Sequence, residues 1–127
     1  MTAKDTGVRH LTDAVLVRAD GAVDEASLAY VREKVAAALD RPGLPEASGE
    51  VRVVKASAHH VELPWWAGAD LQVGEDLVVV HAREATAREL ADRLHDRLRA
   101  RAERVAHRGE RARRASAPPP WRGGPER

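Results

Sequence analysis

The chain has no cysteine and no phenylalanine, a single methionine and a single tyrosine among its 127 residues. The absence of cysteine excludes disulfides and thiolate metal sites and fits a reducing cytosol. The absence of phenylalanine requires an aliphatic core, because Tyr30, Trp65, Trp66 and Trp121 are the whole aromatic complement. No apolar run approaches the roughly 20 residues of a membrane span. Met1–Asp5 leads into no apolar segment of the signal-peptide kind, so a cytoplasmic protein with no membrane partner is expected. Catalytic patterns are missing as well: there is no supported Ser/His/Asp order, no glycine-rich phosphate loop and no convincing pair of carboxylates. A non-enzymatic protein follows as the expectation, with no cofactor and no small-molecule substrate. His59 and His60 are adjacent, and adjacent residues of a strand point to opposite faces, so they make no metal site. His81 lies in an apolar run and reads as a packed histidine.

What the chain does have is arginine, eighteen residues against three lysines. Residues 93–127 carry eleven arginines and four acids, a net of +7, whereas residues 1–92 carry ten basic residues and sixteen acids, a net of −6. The overall +1 therefore conceals a polarised molecule. A basic segment joined to an acidic body points to a polyanionic partner, nucleic acid first.

The pattern of apolar residues gives an order of elements. Ala14–Val17 is β-prone and Asp20-Gly21 signals a turn. Asp24 is suited to cap a helix over residues 25–39, in which Leu28, Val31, Val35 and Leu39 recur at helical spacing. Arg41-Pro42-Gly43-Leu44-Pro45 ends it. Glu50–Ala56 alternates as a strand does. Pro64 and Gly68 make His59–Gly68 an irregular or edge segment, and Ala69–Val73 resumes a strand. Gly74-Glu75-Asp76 reads as a hairpin loop, and the apolar run Leu77–His81 as a central strand. Thr86 with Glu89 has capping-box spacing at the head of a long helix reaching about Ala106. The expected fold is α+β, of order β-α-β-β-β-α, with a four-stranded sheet and both helices on one face. Residues 1–11 form a loose N-terminus, 12–108 the domain, and 109–127 a disordered tail or linker rich in proline, glycine and arginine.

On the long helix, Leu90, Leu94, Leu98, Ala102 and Val105 form the core-facing stripe. Arg93, Arg97, Arg101, Arg104, Arg108 and Arg111 line up beside it, and Glu89, Asp92, Asp96, Glu103 and Glu110 keep to a third sector. Successive arginines of the row sit about 5–6 Å apart along the axis, close to phosphate spacing on a strand. Guanidinium groups fork onto phosphate oxygens, which suits the row to RNA; the competing reading is a solvated face. Trp65-Trp66 could stack on bases, or one could cover the sheet core while the other is partly exposed. The second is favoured in a core without other aromatics.

Gly74–Leu94, a strand followed by an acidic junction and a helix continuing in Arg-Leu repeats, resembles the last hairpin and final helix of the ribosome hibernation promoting factor family, also called ribosome-associated inhibitor or sigma-54 modulation proteins. Leu28–Val35 is similar to that family's first helix. The resemblance covers residues 12–108 and matches the family's N-terminal domain. It implies binding to the small ribosomal subunit and its ribosomal RNA, occlusion of the mRNA and tRNA channel, inhibition of translation and preservation of idle ribosomes. It further implies RNA contacts from Arg32 and Lys34 on the first helix and from Arg93, Arg97, Arg101, Arg104 and Arg108 on the last, with weaker transfers to Arg52, Lys55 and Arg83. Long members of the family carry a dimerising domain, so dimerisation is expected if such a domain follows in a longer form. The alternatives are a general structured-RNA-binding module and a protein-interaction domain with a basic docking helix.

Overall fold

The structure is a computed structural model that describes residues 14–58 and 60–116, with side chains up to residue 112. The expectations for residues 1–11, His59 and Trp121 lie outside the described residues. The elements follow the order β1 (Val15–Gly21), α1 (Glu25–Leu39), β2 (Ala47–Lys55), β3 (Trp65–Val73), β4 (Asp76–Glu84) and α2 (Ala87–Ser116). The sheet runs β1-β2-β3-β4 across its width. β1 and β2, connected through α1, are parallel, and the two later pairings are antiparallel. This is the expected α+β architecture.

Strand alternation sorts the sheet into a covered and an open face. Val15, Val17, Val51, Val53, Ala67, Ala69, Leu71, Val78 and Val80 are buried on the covered face, against Val31 and Val35 of α1 and Leu90, Leu94 and Leu98 of α2. Burial of each such leucine or valine contributes roughly 1.5–3 kcal/mol, enough for an aliphatic core to hold two short layers together. Both helix starts are capped as their residue types dictate. Asp24 accepts from the Ser27 amide at 3.0 Å. Thr86 Oγ1 accepts from the Glu89 amide and donates to the Glu89 carboxylate, both at 3.1 Å.

β2 starts at Ala47, three residues before the expected Glu50, and ends at Lys55. Four further features differ from the sequence-based expectation. β1 runs on through Asp20-Gly21, because Gly21 can take a φ of 82° while still pairing with Lys55. β3 begins at Trp65 instead of Ala69. Pro64 precedes the strand, where its missing N–H costs nothing, and its carbonyl accepts from Ala56 at 2.8 Å. β4 is an edge strand, not a central one. Its apolar run is buried only at alternate positions: Leu77 is 60% and Val79 38% exposed, and His81 is exposed on the open face instead of packed in the core. Finally, α2 continues past Gly109 to Ser116, ten residues beyond its expected end and across the boundary placed between domain and tail. One helical glycine costs only about 1 kcal/mol relative to alanine, and the surrounding Ala, Arg and Glu favour helix.

Candidate nucleic-acid interface

The arginine row of α2 lies along the free edge of β4, one guanidinium after another. Arg93 pairs with Glu84 at 3.0 Å. Arg97 donates to the His81 carbonyl, and Arg101 to the Val79 carbonyl at 3.2 Å. Arg108 pairs with Asp76 at 2.9 Å. The helix runs antiparallel to the strand, so the row meets β4 from its end to its beginning. An edge strand leaves every second carbonyl without a neighbour, and two of these arginines satisfy them while covering the edge. Arg104 has no partner among the described residues.

The acidic sector of α2 is equally occupied, on the opposite flank. Asp92 accepts from the Tyr30 hydroxyl at 2.9 Å and lies 3.5 Å from Lys34 on α1. The Tyr30 hydrogen bond, then the nearby Lys34 charge, lower the Asp92 carboxyl below its ordinary value. Lys34 in turn is raised, first by the Tyr30 oxygen and then by Asp92. Arg41, in the loop after α1, binds Glu103 at 2.9 Å and reaches Glu110 at 3.8 Å. The segregation of signs on α2 thus matches its two neighbours, acids toward α1 and the arginine row toward β4, with Arg88 and Arg99 as the exceptions on the α1 side. Arg99 was not singled out by sequence, yet its guanidinium donates to the Ala37, Ala38 and Asp40 carbonyls at 3.2, 3.4 and 3.3 Å. α1 has no basic residue in its last turn, and Arg99 supplies from another helix the cation that its exposed carbonyls favour. No local signal in the sequence marks that contact, because its partners lie about sixty positions away.

The other candidate residues do not join the α2 row on one surface. Arg32, on α1, lies 3.9 Å from Glu25, and Lys34 faces the acidic flank. Arg52 and Arg83 stand on the open sheet face, Arg52 paired with Asp20 at 3.4 Å. Lys55 sits over the Trp65 ring, 5.4 Å from its centroid. Trp65 is buried in the core, while Trp66 is half-buried on the open face and stacks on His81, with centroids 5.8 Å apart and planes inclined at 27°.

Beyond Arg101 the row opens into a basic concavity of about 530 Å³ between α2 and the loop after α1, lined by Arg41, Glu103, Arg104, His107, Arg108 and Arg111. Arg104, His107 and Arg111 have no partner among the described residues, and their spacing places them on one side of the helix. Arg41 is an addition to the expected set, and His107 supplements the arginines as its place on the helix suggests. A second concavity of about 370 Å³ lies between β4 and α2, lined by Val79, His81, Arg97, Arg101 and Arg104 among others. Among the described residues, no group of His, Asp and Glu could hold a metal ion, and no helix is long and apolar enough to cross a membrane.

No protein-family model and no curated protein sequence matches the chain. Among solved structures, the N-terminal domain of Protein Y from Thermus thermophilus is similar, with a TM-score of 0.47 and 17% sequence identity over 68% of this chain and 96% of that one.

Proposed function

We propose that the protein is a ribosome-associated factor that binds small-subunit ribosomal RNA in the channel used by messenger and transfer RNA, and so blocks translation. The observation that carries this reading is the ordered arginine flank of α2. Arg104 and Arg111, which have no partner among the described residues, stand with His107 around an open basic concavity. The resemblance of Gly74–Leu94 and Leu28–Val35 to hibernation factors gives the RNA its identity. The mechanism is occlusion: many phosphate contacts, little reading of sequence, and affinity that falls steeply with salt.

Arg104 and Arg111 are the residues to change, because neither makes a fold contact among the described residues, whereas Arg97 and Arg101 also hold the edge of β4. The double substitution Arg104→Glu and Arg111→Glu is expected to abolish co-sedimentation with small subunits. A folded double variant that still co-sediments would overturn the proposal. A factor of the channel is also displaced by messenger or transfer RNA, whereas a general structured-RNA binder is not.

A second reading is favoured by the contacts of Arg93, Arg97, Arg101 and Arg108 with β4. In it the row serves to close the sheet edge, and the domain docks an acidic protein partner. That reading predicts no salt-dependent binding to RNA of any kind.

A further inference from the structure

We infer that the open face of the sheet carries a stacking platform for an unpaired RNA base, centred on Trp66 and His81, beside the phosphate-binding flank of α2. The inference rests on the RNA-binding reading and adds a second, chemically different subsite to it.

Trp66 lies flat on the sheet instead of standing away from it. A methyl group built on Gly68, two residues along the same face, would come within 2.7 Å of the indole Cη2 and 2.9 Å of Cζ2. The glycine is what lets the ring lie down, and the ring then reaches His81 across the β3–β4 pair. A half-buried indole leaning over Gly68, with the His81 imidazole stacked against it, forms an aromatic site of the kind on which unstacked bases bind.

The charges around it select a base over a phosphate. The platform borders a concavity of about 240 Å³ that includes Glu50, Arg52 and Asp70. Arg18 and Arg52 are paired with Glu50 and Asp20, at 3.2 and 3.4 Å. Glu50 and Asp70 stand directly opposite each other on neighbouring strands. Arg83, opposite Trp66 across the β3–β4 pair, is the third cation of this face and Asp70 its third carboxylate after Asp20 and Glu50. The face therefore has no net surplus of cations to attract a phosphate, while Asp70 can accept from base amino groups. The surplus lies next door: the concavity holding Arg97, Arg101 and Arg104 shares Val79 and His81 with this one. A strand whose phosphates follow the arginines can turn one base over the β4 edge onto Trp66. A ligand carrying both anionic phosphates and planar bases fits the two adjoining surfaces, and single-stranded RNA has both.

The test compares a short labelled single-stranded RNA with an abasic strand of equal length and charge, by fluorescence anisotropy. The wild-type protein is expected to prefer the base-bearing strand. Trp66→Leu, which still covers Gly68, is expected to weaken that binding by about 5- to 100-fold and to leave the abasic strand's affinity unchanged. Trp66→Phe retains a stacking ring and should recover most of the difference. A Trp66→Leu protein with an unaltered melting curve and unaltered affinity for the base-bearing strand overturns the platform. So does a wild-type protein that binds both strands equally in a salt-dependent way, an outcome that leaves the arginine flank standing. Failure of both strands to bind at any salt concentration overturns the platform and the RNA reading together.

Discussion

Single residues hold this fold at points where no substitute fits. Gly49 has a φ of 136° within β2, and a methyl group there would overlap the Asp70 carbonyl oxygen of β3. Gly49→Ala combines backbone strain, of order 1–3 kcal/mol, with displacement of a neighbouring strand. Its urea midpoint should fall well below that of the wild type, or the protein should fail to fold. Asp92 makes a pH-dependent contribution. Its carboxyl is held below the ordinary 3.8 by Tyr30 and Lys34, so the folded state favours the ionised form. That stabilisation is complete above the unfolded-state value and is lost as pH falls through the lowered folded-state value. Asp92→Asn should lower stability at neutral pH and flatten the acid limb of a stability–pH profile. An unchanged acid limb would assign the acid sensitivity to other carboxylates, Asp24 first, since Ser27 lowers it too. Neither residue's role could be read locally. Ser48-Gly49-Glu50 carries no turn signature, and the partners of Asp92 on α1 lie about sixty positions before it.

At the scale of elements, local rules succeeded where the controlling contacts are local. Asp24 and Thr86 cap their helices, and the periodicity of Leu90, Leu94 and Leu98 correctly predicts the buried stripe. They failed where neighbours decide. The run Leu77–His81 has the composition of a central strand, but it is an edge strand protected by arginines from α2. That protection predicts a phenotype. Replacing Arg97 and Arg101 together with Ala should cost about 0.5–1.5 kcal/mol per lost hydrogen bond and uncover two β4 carbonyls. The variant is expected to melt earlier and to associate with rising concentration, measurable by denaturation and light scattering, because an uncovered edge is a template for strand pairing. Arg99 acts similarly on α1. Arg99→Ala should loosen the last turn of α1, read as faster amide exchange around Ala37–Asp40 while the core of α2 stays protected.

For the whole molecule, the reversal of charge between the two parts of the chain was legible in composition, and so was the arginine row. What composition could not show is that most of the row is already engaged with β4. This divides its members between holding the fold and remaining available to a ligand. Arg104 and Arg111 belong to the second group, which gives a quantitative expectation. Arg104→Gln with Arg111→Gln should lower the slope of log affinity against log salt by about 2, with folding stability unchanged. A slope equal to that of the wild type would place the phosphate contacts elsewhere. The open sheet face was legible only in part: Trp66 was visible as an aromatic, but its flat orientation depends on Gly68 and on His81 of the neighbouring strand.

The partition of signs on α2 has a consequence beyond the contacts that produce it. Lys34 and Arg41 offset the carboxylates of the α1 flank, and Glu84 and Asp76 offset Arg93 and Arg108. Arg97, Arg101, Arg104 and Arg111 therefore leave one side of the helix positive, in addition to the peptide dipole along its axis. A net charge of +1 gives almost no monopole attraction at a distance. A polyanion's field nevertheless exerts a torque on such a body, turning its arginine flank inward before any atom touches. Within roughly a Debye length, about 8 Å at physiological ionic strength, encounters would arrive already oriented.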